Sequence, residues 1–246
     1  MLEINHLSKV YAKSNVKAVD DLSIKVNDGE VYGFVGSNGA GKSTTIKCVT
    51  GVLSYENGEI IVDGIDLKKN PIEAKKKIGY VADTYAVYDK LTGRQYVNFL
   101  ADIYGVSVED RKAIIEDLAN RFELVDKLDT VISSYSHGMK QKISIIGALI
   151  HSPKVWILDE PLTGLDPKSS HELKKLMREH CEKGNVVFFS SHVLEVVEKL
   201  CDKVAIIKKG KLVDVYDMDE LKAKRSDVSL EDIFLDILEN KESKLD

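Results

Sequence analysis

The chain of 246 residues is long enough for one large domain or two small ones, and 43% apolar with 30% charged residues is typical of a folded protein. The net charge of −5 disfavours a nucleic-acid partner, because phosphate binding requires a basic surface. No uncharged stretch is longer than 11 residues, the length of 31–41 and 143–153, whereas a membrane-spanning helix needs about 20, so we expect no direct membrane insertion.

The first 80 residues are predicted to form mostly strands and turns. Turns are expected at Asp28-Gly29, Asn57-Gly58 and Asp63-Gly64, where these dipeptides favour tight bends. A helix is predicted over 44–53, directly after a glycine-rich loop. Short apolar runs predict strands in this region, at 31–35, 59–62 and 78–82.

From residue 84 to about 150, apolar residues recur at helical spacing, which predicts an inserted helical subdomain. Continuous apolar runs then predict two more buried strands, at 154–158 and 185–189, with a helix over 169–183 between them. A hairpin is expected to join 204–207 to 212–213. Buried strands that alternate with helices favour an α/β fold whose mainly parallel sheet has helices on both faces.

The C-terminal segment, 221–246, is interpreted as an amphipathic helix followed by a polar tail. Its apolar stripe consists of Leu230, Ile233, Phe234, Ile237 and Leu238. A helix that docks on its own domain is favoured over one that binds a partner. We therefore predict one domain over 1–220, which contains the helical insertion, and this C-terminal extension.

The strongest chemical signal is the segment from Gly36 to Ser43, which fits the pattern G-x-x-x-x-G-K-[ST] between a predicted strand and a predicted helix. Glycines let backbone N–H groups approach a phosphate, and the helix N-terminus adds partial positive charge. Lys42 would reach the β- and γ-phosphates, and Ser43 would offer a hydroxyl to Mg²⁺. The alternative is a glycine-rich turn without a ligand. The candidate nucleotide-binding residues here are Gly36, Ser37, Asn38, Gly39, Ala40, Gly41, Lys42, Ser43 and Thr44.

Two further predicted strands end in polar side chains. Asp159 and Glu160 follow one of them, where Asp159 would hold Mg²⁺ and Glu160 would polarise the attacking water, although a solvated acidic turn is the alternative. His192 follows the other, and taken alone it would more often be a core or helix-start histidine. The order of strands places Lys42, the two acids and His192 at the same edge of one parallel sheet.

A fourth signal is the segment from Tyr135 to Lys142, which precedes an apolar helix predicted over 143–150. Ser136 is a reasonable helix N-cap, and Gly138 allows close approach of another group. On these grounds alone, a simple helix cap explains the segment as well as an anion site does.

As an ordered set, these motifs over about residues 1–215 make the chain resemble the ATP-binding subunit of an ABC transporter. The glycine-rich loop is similar to the Walker A motif of the family. The segment 157–161 is similar to the Walker B motif with its following glutamate, and the segment 135–139 is similar to the family signature L-S-G-G-Q. Residues 164–166 are similar to the D-loop, and His192 to the switch histidine. Tyr11 stands where the family stacks an aromatic ring on adenine.

The resemblance implies a P-loop NTPase core with an antiparallel N-terminal β subdomain and a helical insertion. It also implies Mg²⁺-dependent ATP hydrolysis, with Glu160, His192 and Lys42 as catalytic residues and Ser43, Asp83 and Asp159 near the metal. Two such subunits, identical or homologous, close head to tail on two ATP molecules, so that Ser136 and Gly138 serve the partner's nucleotide. A separate transmembrane permease is the further partner.

Three positions depart from the family pattern. Asp83 replaces the usual glutamine, and His137 and Met139 replace a glycine and the glutamine of the signature. At these positions the chain is similar to the group of exporters whose membrane partners are of the ABC-2 type. They favour export as the direction of transport.

The chain has three cysteines, Cys48, Cys181 and Cys201, whose spacing fits neither a disulfide framework nor a metal site. The sequence also shows no signal-peptide pattern. We therefore expect a cytoplasmic subunit that its permease holds at the inner face of the membrane. The alternative function is a soluble ABC ATPase that acts in assembly or signalling without transport. Tyr85 and Tyr88 are predicted to contact the permease, whereas Tyr96 and Phe99 are expected to pack in the core.

Overall fold

The structure, a computed structural model, describes residues 1–12, 15–84, 87–224 and 229–238. Within these ranges the strands are β1 (Leu2–Val10), β2 (Lys17–Val26), β3 (Val31–Val35), β4 (Asn57–Val62), β5 (Ile65–Asp66), β6 (Ile78–Val81), β7 (Val155–Asp159), β8 (Val186–Ser191), β9 (Lys203–Lys208) and β10 (Lys211–Asp217). The α-helices are α1 (Lys42–Val49), α2 (Pro71–Lys76), α3 (Gly93–Tyr104), α4 (Val108–Arg121), α5 (His137–Leu149), α6 (Pro167–Glu182), α7 (Leu194–Leu200), α8 (Met218–Lys224) and α9 (Leu230–Leu238).

The strands form two sheets, and the larger of them is mainly parallel. Its order is β10-β9-β3-β8-β7-β6, in which β10 alone pairs in the antiparallel sense. The residues of β3, β7 and β8 are all buried, as their continuous apolar runs predict. The predicted α/β class and the hairpin between β9 and β10 are confirmed.

The smaller sheet is antiparallel and has the order β2-β1-β4-β5, which confirms an antiparallel N-terminal β subdomain. The turn at Asp63-Gly64 is confirmed, and both residues have positive φ angles of 50° and 78°, as a tight hairpin requires. The turn predicted at Asn57-Gly58 is wrong, because both residues lie in β4. Gly58 lies beside β1 at the point where the register between β1 and β4 shifts. A Cβ on Gly58 would lie 2.7 Å from the Asn5 carbonyl oxygen.

Helix α1 departs from its predicted bounds at both ends. It begins at Lys42 rather than at residue 44, because Gly41 adopts a φ of 111° and acts as the N-cap. It ends at Val49 rather than at residue 53, since Gly51 follows with a φ of 67°, a conformation that stops helices. The glycine-rich loop therefore runs directly into the first helical turn.

The helical insertion predicted from residue 84 to about 150 contains α3, α4 and α5. Thr92 caps α3 through a reciprocal pair of hydrogen bonds with Gln95, and the Ser107 side chain caps α4. Arg121, at the end of α4, pairs with Glu172 and Glu179 of α6 and thereby ties the insertion to the rest of the fold.

Two expectations within the insertion need correction. Helix α5 begins at His137 instead of residue 143, because the Ser136 side chain accepts a hydrogen bond from the backbone N–H of Met139 at 3.3 Å. Phe99 is 41% exposed and is not a core residue, whereas Tyr96 is buried as predicted. The ring of Tyr88 meets Phe99 edge to face at 5.5 Å, so the two aromatics form an exposed pair.

The C-terminal helix α9 packs against the domain, mainly on α7. Leu230, Ile233 and Ile237 are buried in the core, and the Lys208 ammonium donates hydrogen bonds to the carbonyl oxygens of Ile237 and Leu238. These contacts match the favoured interpretation of a helix docked on its own domain. The predicted polar tail, 239–246, lies outside the described residues.

In the part of the chain that the structure describes, no helix is both long and apolar enough to cross a membrane.

Phe122 and Phe99 make a matched pair for testing the packing of the insertion. Phe122 is fully buried, so Phe122→Ala should lower the free energy of unfolding by about 3–5 kcal/mol through lost burial and a residual cavity. Phe99→Ala should lower the free energy of unfolding by less than about 1 kcal/mol, because Phe99 is already 41% exposed to solvent. Equal losses for the two variants in urea unfolding would contradict this placement of the core.

Candidate functional site

A cleft of about 430 Å³ opens at the edge of the parallel sheet where β3 and β7 end. It is lined by residues 38–44 of the glycine-rich loop, with Tyr11, Asp83 and Glu160 around them. The three neighbouring strands β3, β8 and β7 deliver the loop, His192 and the two acids to this edge. The predicted convergence at one edge therefore agrees with the strand order.

The glycine-rich loop has its shape because side chains are excluded from it. A Cβ on Gly41 would lie 2.5 Å from the Ala18 carbonyl oxygen, and its φ of 111° is open only to glycine. The loop is also held from outside, since the Gly210 N–H donates to the Ala40 carbonyl oxygen at 2.8 Å. A rigid loop at a helix N-terminus presents its N–H groups to an anion.

Lys42 is enclosed by this loop and is only 7% exposed. Its ammonium donates to the Gly36 carbonyl oxygen at 2.8 Å and lies 4.0 Å from a carboxylate oxygen of Glu160. The cation is thus already placed between the loop and Glu160, the acid that directly follows β7. Phosphate oxygens that enter the cleft would meet this charge in a partly dehydrated setting.

Asp159 is fully buried, and its carboxylate is only half satisfied. The Ser190 hydroxyl donates to Oδ1 at 2.5 Å, whereas Oδ2 is buried without a hydrogen-bond partner. Burial raises the pKa of Asp159, the hydroxyls of Ser190 and Ser43 oppose that shift, and the charges of Asp83 and Glu160 add to it. A cation beside Oδ2 would remove this cost.

These donors fit Mg²⁺ that arrives with a polyphosphate. Within the described ranges no cluster of three or more His, Cys, Asp or Glu side chains could hold a metal by itself. Mg²⁺ is usually held by one or two carboxylates together with phosphate oxygens and water, so a complete protein cage is unnecessary. Asp159 and Ser43 are suited to hold it, and Asp83 lines the same cleft with its charge near Asp159.

Glu160 adopts a φ of 49°, which is uncommon for a residue with a side chain and typical of functional sites. Its N–H donates to the Ser190 hydroxyl at 3.0 Å, and its Oε2 lies 2.8 Å from Nδ1 of His192. His192 is 61% exposed, so the core alternative for this histidine is wrong. The glutamate is therefore held between an imidazole and the Lys42 ammonium.

Ser190 is a site residue that the sequence interpretation missed. It pairs in register with Asp159, and its hydroxyl contacts both the Asp159 carboxylate and the Glu160 backbone. The available signal was its position, because it is the first polar residue at the end of an otherwise apolar strand.

The signature segment lies at the start of α5, and Ser136 and Gly138 are not among the residues that line the cleft. Its backbone is packed against the loop that follows Glu160, since a Cβ on Gly138 would lie 2.8 Å from the Gly164 carbonyl oxygen. Gln141 donates to the Pro161 carbonyl oxygen at 2.9 Å, which joins the same two segments. One chain thus does not bring the signature to its own glycine-rich loop.

Tyr11 lies at the mouth of the cleft, where its hydroxyl is 3.1 Å from the Thr44 hydroxyl. Its ring is 44% exposed, which leaves a face open for stacking. The C-terminal helix reaches the neighbouring surface, because Phe234 lines a second cavity together with Ser37 and His192. The sequence interpretation did not anticipate this contact of α9 with the site.

The sheet order, the glycine-rich loop and the acids at the strand ends define a P-loop nucleotide-binding fold of the ATPase class. Comparison with known proteins makes this assignment specific. A family model described as "ABC transporter" matches residues 19–163. The chain belongs to the ABC transporter family, as an ATP-binding domain.

Two curated relatives and one solved structure illustrate the likeness. The ABC transporter ATP-binding protein NatA of Bacillus subtilis is 38% identical over 202 residues, 82% of each chain. The bacitracin transport ATP-binding protein BcrA of Bacillus licheniformis is 36% identical over 223 residues, 90% of this chain and 71% of that protein. A solved ATP-binding subunit of an ABC transporter superposes with a TM-score of 0.91 at 30% identity, covering 97% of this chain and 99% of its own.

The position of Asp83 predicts a role at the metal. Asp83→Asn should raise the Mg²⁺ concentration needed for half-maximal ATPase activity by about tenfold, because a charge near the cation is lost. Asp126→Asn, which removes an equally exposed carboxylate outside the cleft, is the matched control and should leave the metal dependence unchanged. Magnesium titrations that coincide for the wild type and Asp83→Asn, together with undiminished transport, would show that Asp83 is a bystander.

Proposed function

We propose that this protein is the ATP-hydrolysing subunit of an exporter and that it drives a separate transmembrane permease. The observation that carries the proposal is the meeting of Lys42, Asp159, Glu160 and His192 at one edge of the parallel sheet, where Glu160 lies between the Lys42 ammonium and the His192 imidazole. The resemblance of the chain to NatA and to the bacitracin transport protein BcrA supports a transport role. Asp83, His137 and Met139 support the ABC-2 exporter group in particular.

Different residues of the cleft bind the phosphates, the metal ion and the adenine of ATP. The N–H groups of 38–43 and the Lys42 ammonium bind the phosphates of ATP, and Ser43, Asp159 and Asp83 would hold the accompanying Mg²⁺. When bound there, Mg²⁺ would supply positive charge beside the phosphate oxygens. Tyr11 offers its ring to the adenine.

Hydrolysis needs a group that orients water towards the γ-phosphate. Glu160 is suited to this because it lines the cleft, its carboxylate is held by the His192 imidazole, and its backbone N–H donates to the Ser190 hydroxyl. The glutamate accepts a hydrogen bond from the attacking water and takes up its proton as the water oxygen bonds to the γ-phosphorus, while the bond from this phosphorus to the bridging oxygen of the leaving ADP breaks. His192 holds Glu160 in place and can donate to a γ-phosphate oxygen.

The complete site requires a second subunit, either another copy or a homologue. Ser136 is exposed and Gly138 is partly exposed, and neither lines the cleft of its own chain. In a head-to-tail pair each signature helix would present its N-terminus to the γ-phosphate bound by the partner. ATP then joins the two subunits, and hydrolysis releases them.

The permease would hold this subunit at the inner, cytoplasmic face of the membrane. The exposed pair of Tyr88 and Phe99 lies on the helical insertion and follows Asp83 closely in sequence. Aromatic side chains of this kind are enriched at protein contacts. This surface therefore suits the permease, and purification of the native complex tests whether a polytopic membrane protein accompanies the chain or whether the assembly alternative holds.

Glu160→Gln separates binding from chemistry. The amide keeps the shape of the side chain but cannot act as a base, so ATP turnover should fall by about 100-fold or more while ATP binding persists. A nucleotide-bound dimer should accumulate in gel filtration with ATP. Glu195→Gln, on an exposed glutamate of α7, should retain wild-type turnover.

Lys42→Ala should differ from Glu160→Gln in its effect on binding. It should weaken nucleotide binding itself, whereas Glu160→Gln should leave ATP binding intact. Near-normal turnover of Glu160→Gln would overturn the assignment of the general base.

Tyr88 tests the permease surface, since Tyr85, the other tyrosine predicted there, lies outside the described residues. Tyr88→Ser should weaken association with the permease by roughly tenfold, as for loss of an interface aromatic, and leave ATP binding intact. Val108→Ser, at a 74% exposed position on α4, is the control. If both variants co-purify equal amounts of permease, the docking surface lies elsewhere.

A further inference from the structure

Glu56, the residue just before β4, holds the end of β1 through two hydrogen bonds. Its Oε1 accepts from the Lys9 ammonium at 2.7 Å, and its Oε2 accepts from the Val10 backbone N–H at 2.8 Å. The Glu56 N–H also donates to the Ser8 carbonyl oxygen at 3.3 Å. One residue therefore contacts three consecutive positions of β1, and Tyr11 follows them directly.

The charges in this arrangement are mutually dependent. The Lys9 side chain is only 8% exposed, and an enclosed ammonium is costly without a partner. The hydrogen bond from Lys9, supported by that from Val10, lowers the pKa of Glu56, so the glutamate is ionised at neutral pH. The pair is therefore a charge-assisted clamp rather than a mobile surface contact.

The clamp bears directly on the Tyr11 ring. The Lys9 ammonium lies 6.0 Å from the centre of this ring, and the Tyr11 hydroxyl reaches Thr44 at the other end. The backbone before the ring is fixed by Glu56, and the tip of the ring is fixed beside the glycine-rich loop. A ring that is held in place loses less conformational entropy when a base stacks on it.

We propose that Glu56 is a positioning residue for the nucleobase, which it serves by holding Lys9 and Val10 so that Tyr11 faces the base of a bound nucleotide. The proposal rests on the proposed function, in which Tyr11 contacts adenine. Glu56 does not line the cleft, and its carboxylate holds Lys9 and Val10 rather than a phosphate-binding residue, so its effect should fall on the base alone.

The test compares a ligand with a base and a ligand without one. Binding of ATP and of inorganic tripolyphosphate, each with Mg²⁺, is measured for the wild type, Tyr11→Ala, Glu56→Gln and Glu59→Gln. Glu59 is the matched control, because it is 44% exposed against 46% for Glu56 and pairs with Lys69 instead. Each glutamine variant removes one carboxylate charge from the same stretch of chain.

Glu56→Gln should weaken ATP binding by about fivefold, as for loss of a charged hydrogen bond, and leave tripolyphosphate binding within about twofold. It should raise KM for ATP with little change in kcat, because the phosphate site is intact. Glu59→Gln should match the wild type in all these measurements. Thermal unfolding of each variant reports whether the fold is retained.

If Glu56→Gln weakens the binding of ATP and of tripolyphosphate equally, or weakens neither, the role of Glu56 is overturned. If the wild type prefers ATP to tripolyphosphate and Tyr11→Ala abolishes that preference but Glu56→Gln keeps it, the clamp alone is wrong. If the wild type binds both ligands equally well, the adenine contact of Tyr11 is wrong as well, and the clamp fails with it.

Discussion

The buried carboxylate of Asp159 is the constraint on which the site depends. It ends a strand whose other residues are apolar, so water cannot satisfy it and the neighbouring strand must. Ser190 lies opposite it in register and satisfies one oxygen, which leaves the other without a partner. A buried, half-satisfied carboxylate is costly unless a cation or a proton neutralises it, and the cleft beside it is where a nucleotide-bound Mg²⁺ would lie.

The strand order brings the proposed catalytic side chains close to the Asp159 carboxylate. β8 lies between β3 and β7, so the residues that follow it are adjacent both to the glycine-rich loop and to the acids. Ser190 therefore reaches Asp159, and His192 reaches Glu160, although each pair is about thirty residues apart in sequence. Moving β8 to another position in the sheet would separate these groups even if every strand kept its sequence.

Sequence patterns predicted the parts that depend on local chemistry. The apolar runs of the central strands, the glycine-rich loop and the Ser136 cap all follow from short segments. The sequence predictions fail where contacts between segments that are distant in the chain determine the structure. Asn57-Gly58 has the composition of a turn, but the irregular crossing of β1 draws it into a strand. Phe99 has helical spacing for the core, yet the exposed ring of Tyr88 is its neighbour.

The same reasoning explains why two supporting residues were not predicted. Ser190 and Glu56 belong to no motif, and each acts on a segment that the fold alone brings near. Lys9 and Glu56 are 47 positions apart, and no spacing rule links them. The motif residues indicate where phosphate and metal are proposed to bind, whereas the residues that orient them are visible only in the register of strands and in the hydrogen bonds between them.

The signature helix and the catalytic loop of one chain are joined as one body. Gly138 packs on Gly164, and Gln141 donates to the Pro161 carbonyl oxygen. The Lys142 ammonium pairs with the Asp166 carboxylate at 2.9 Å, and this pairing adds to the hydrogen bonds that hold Asp166 as the N-cap of α6. In the proposed head-to-tail pair, any shift of a signature helix on the partner's ATP would therefore pull on the loop after its own Glu160. The two ATP sites are then coupled through contacts inside each subunit as well as across the interface.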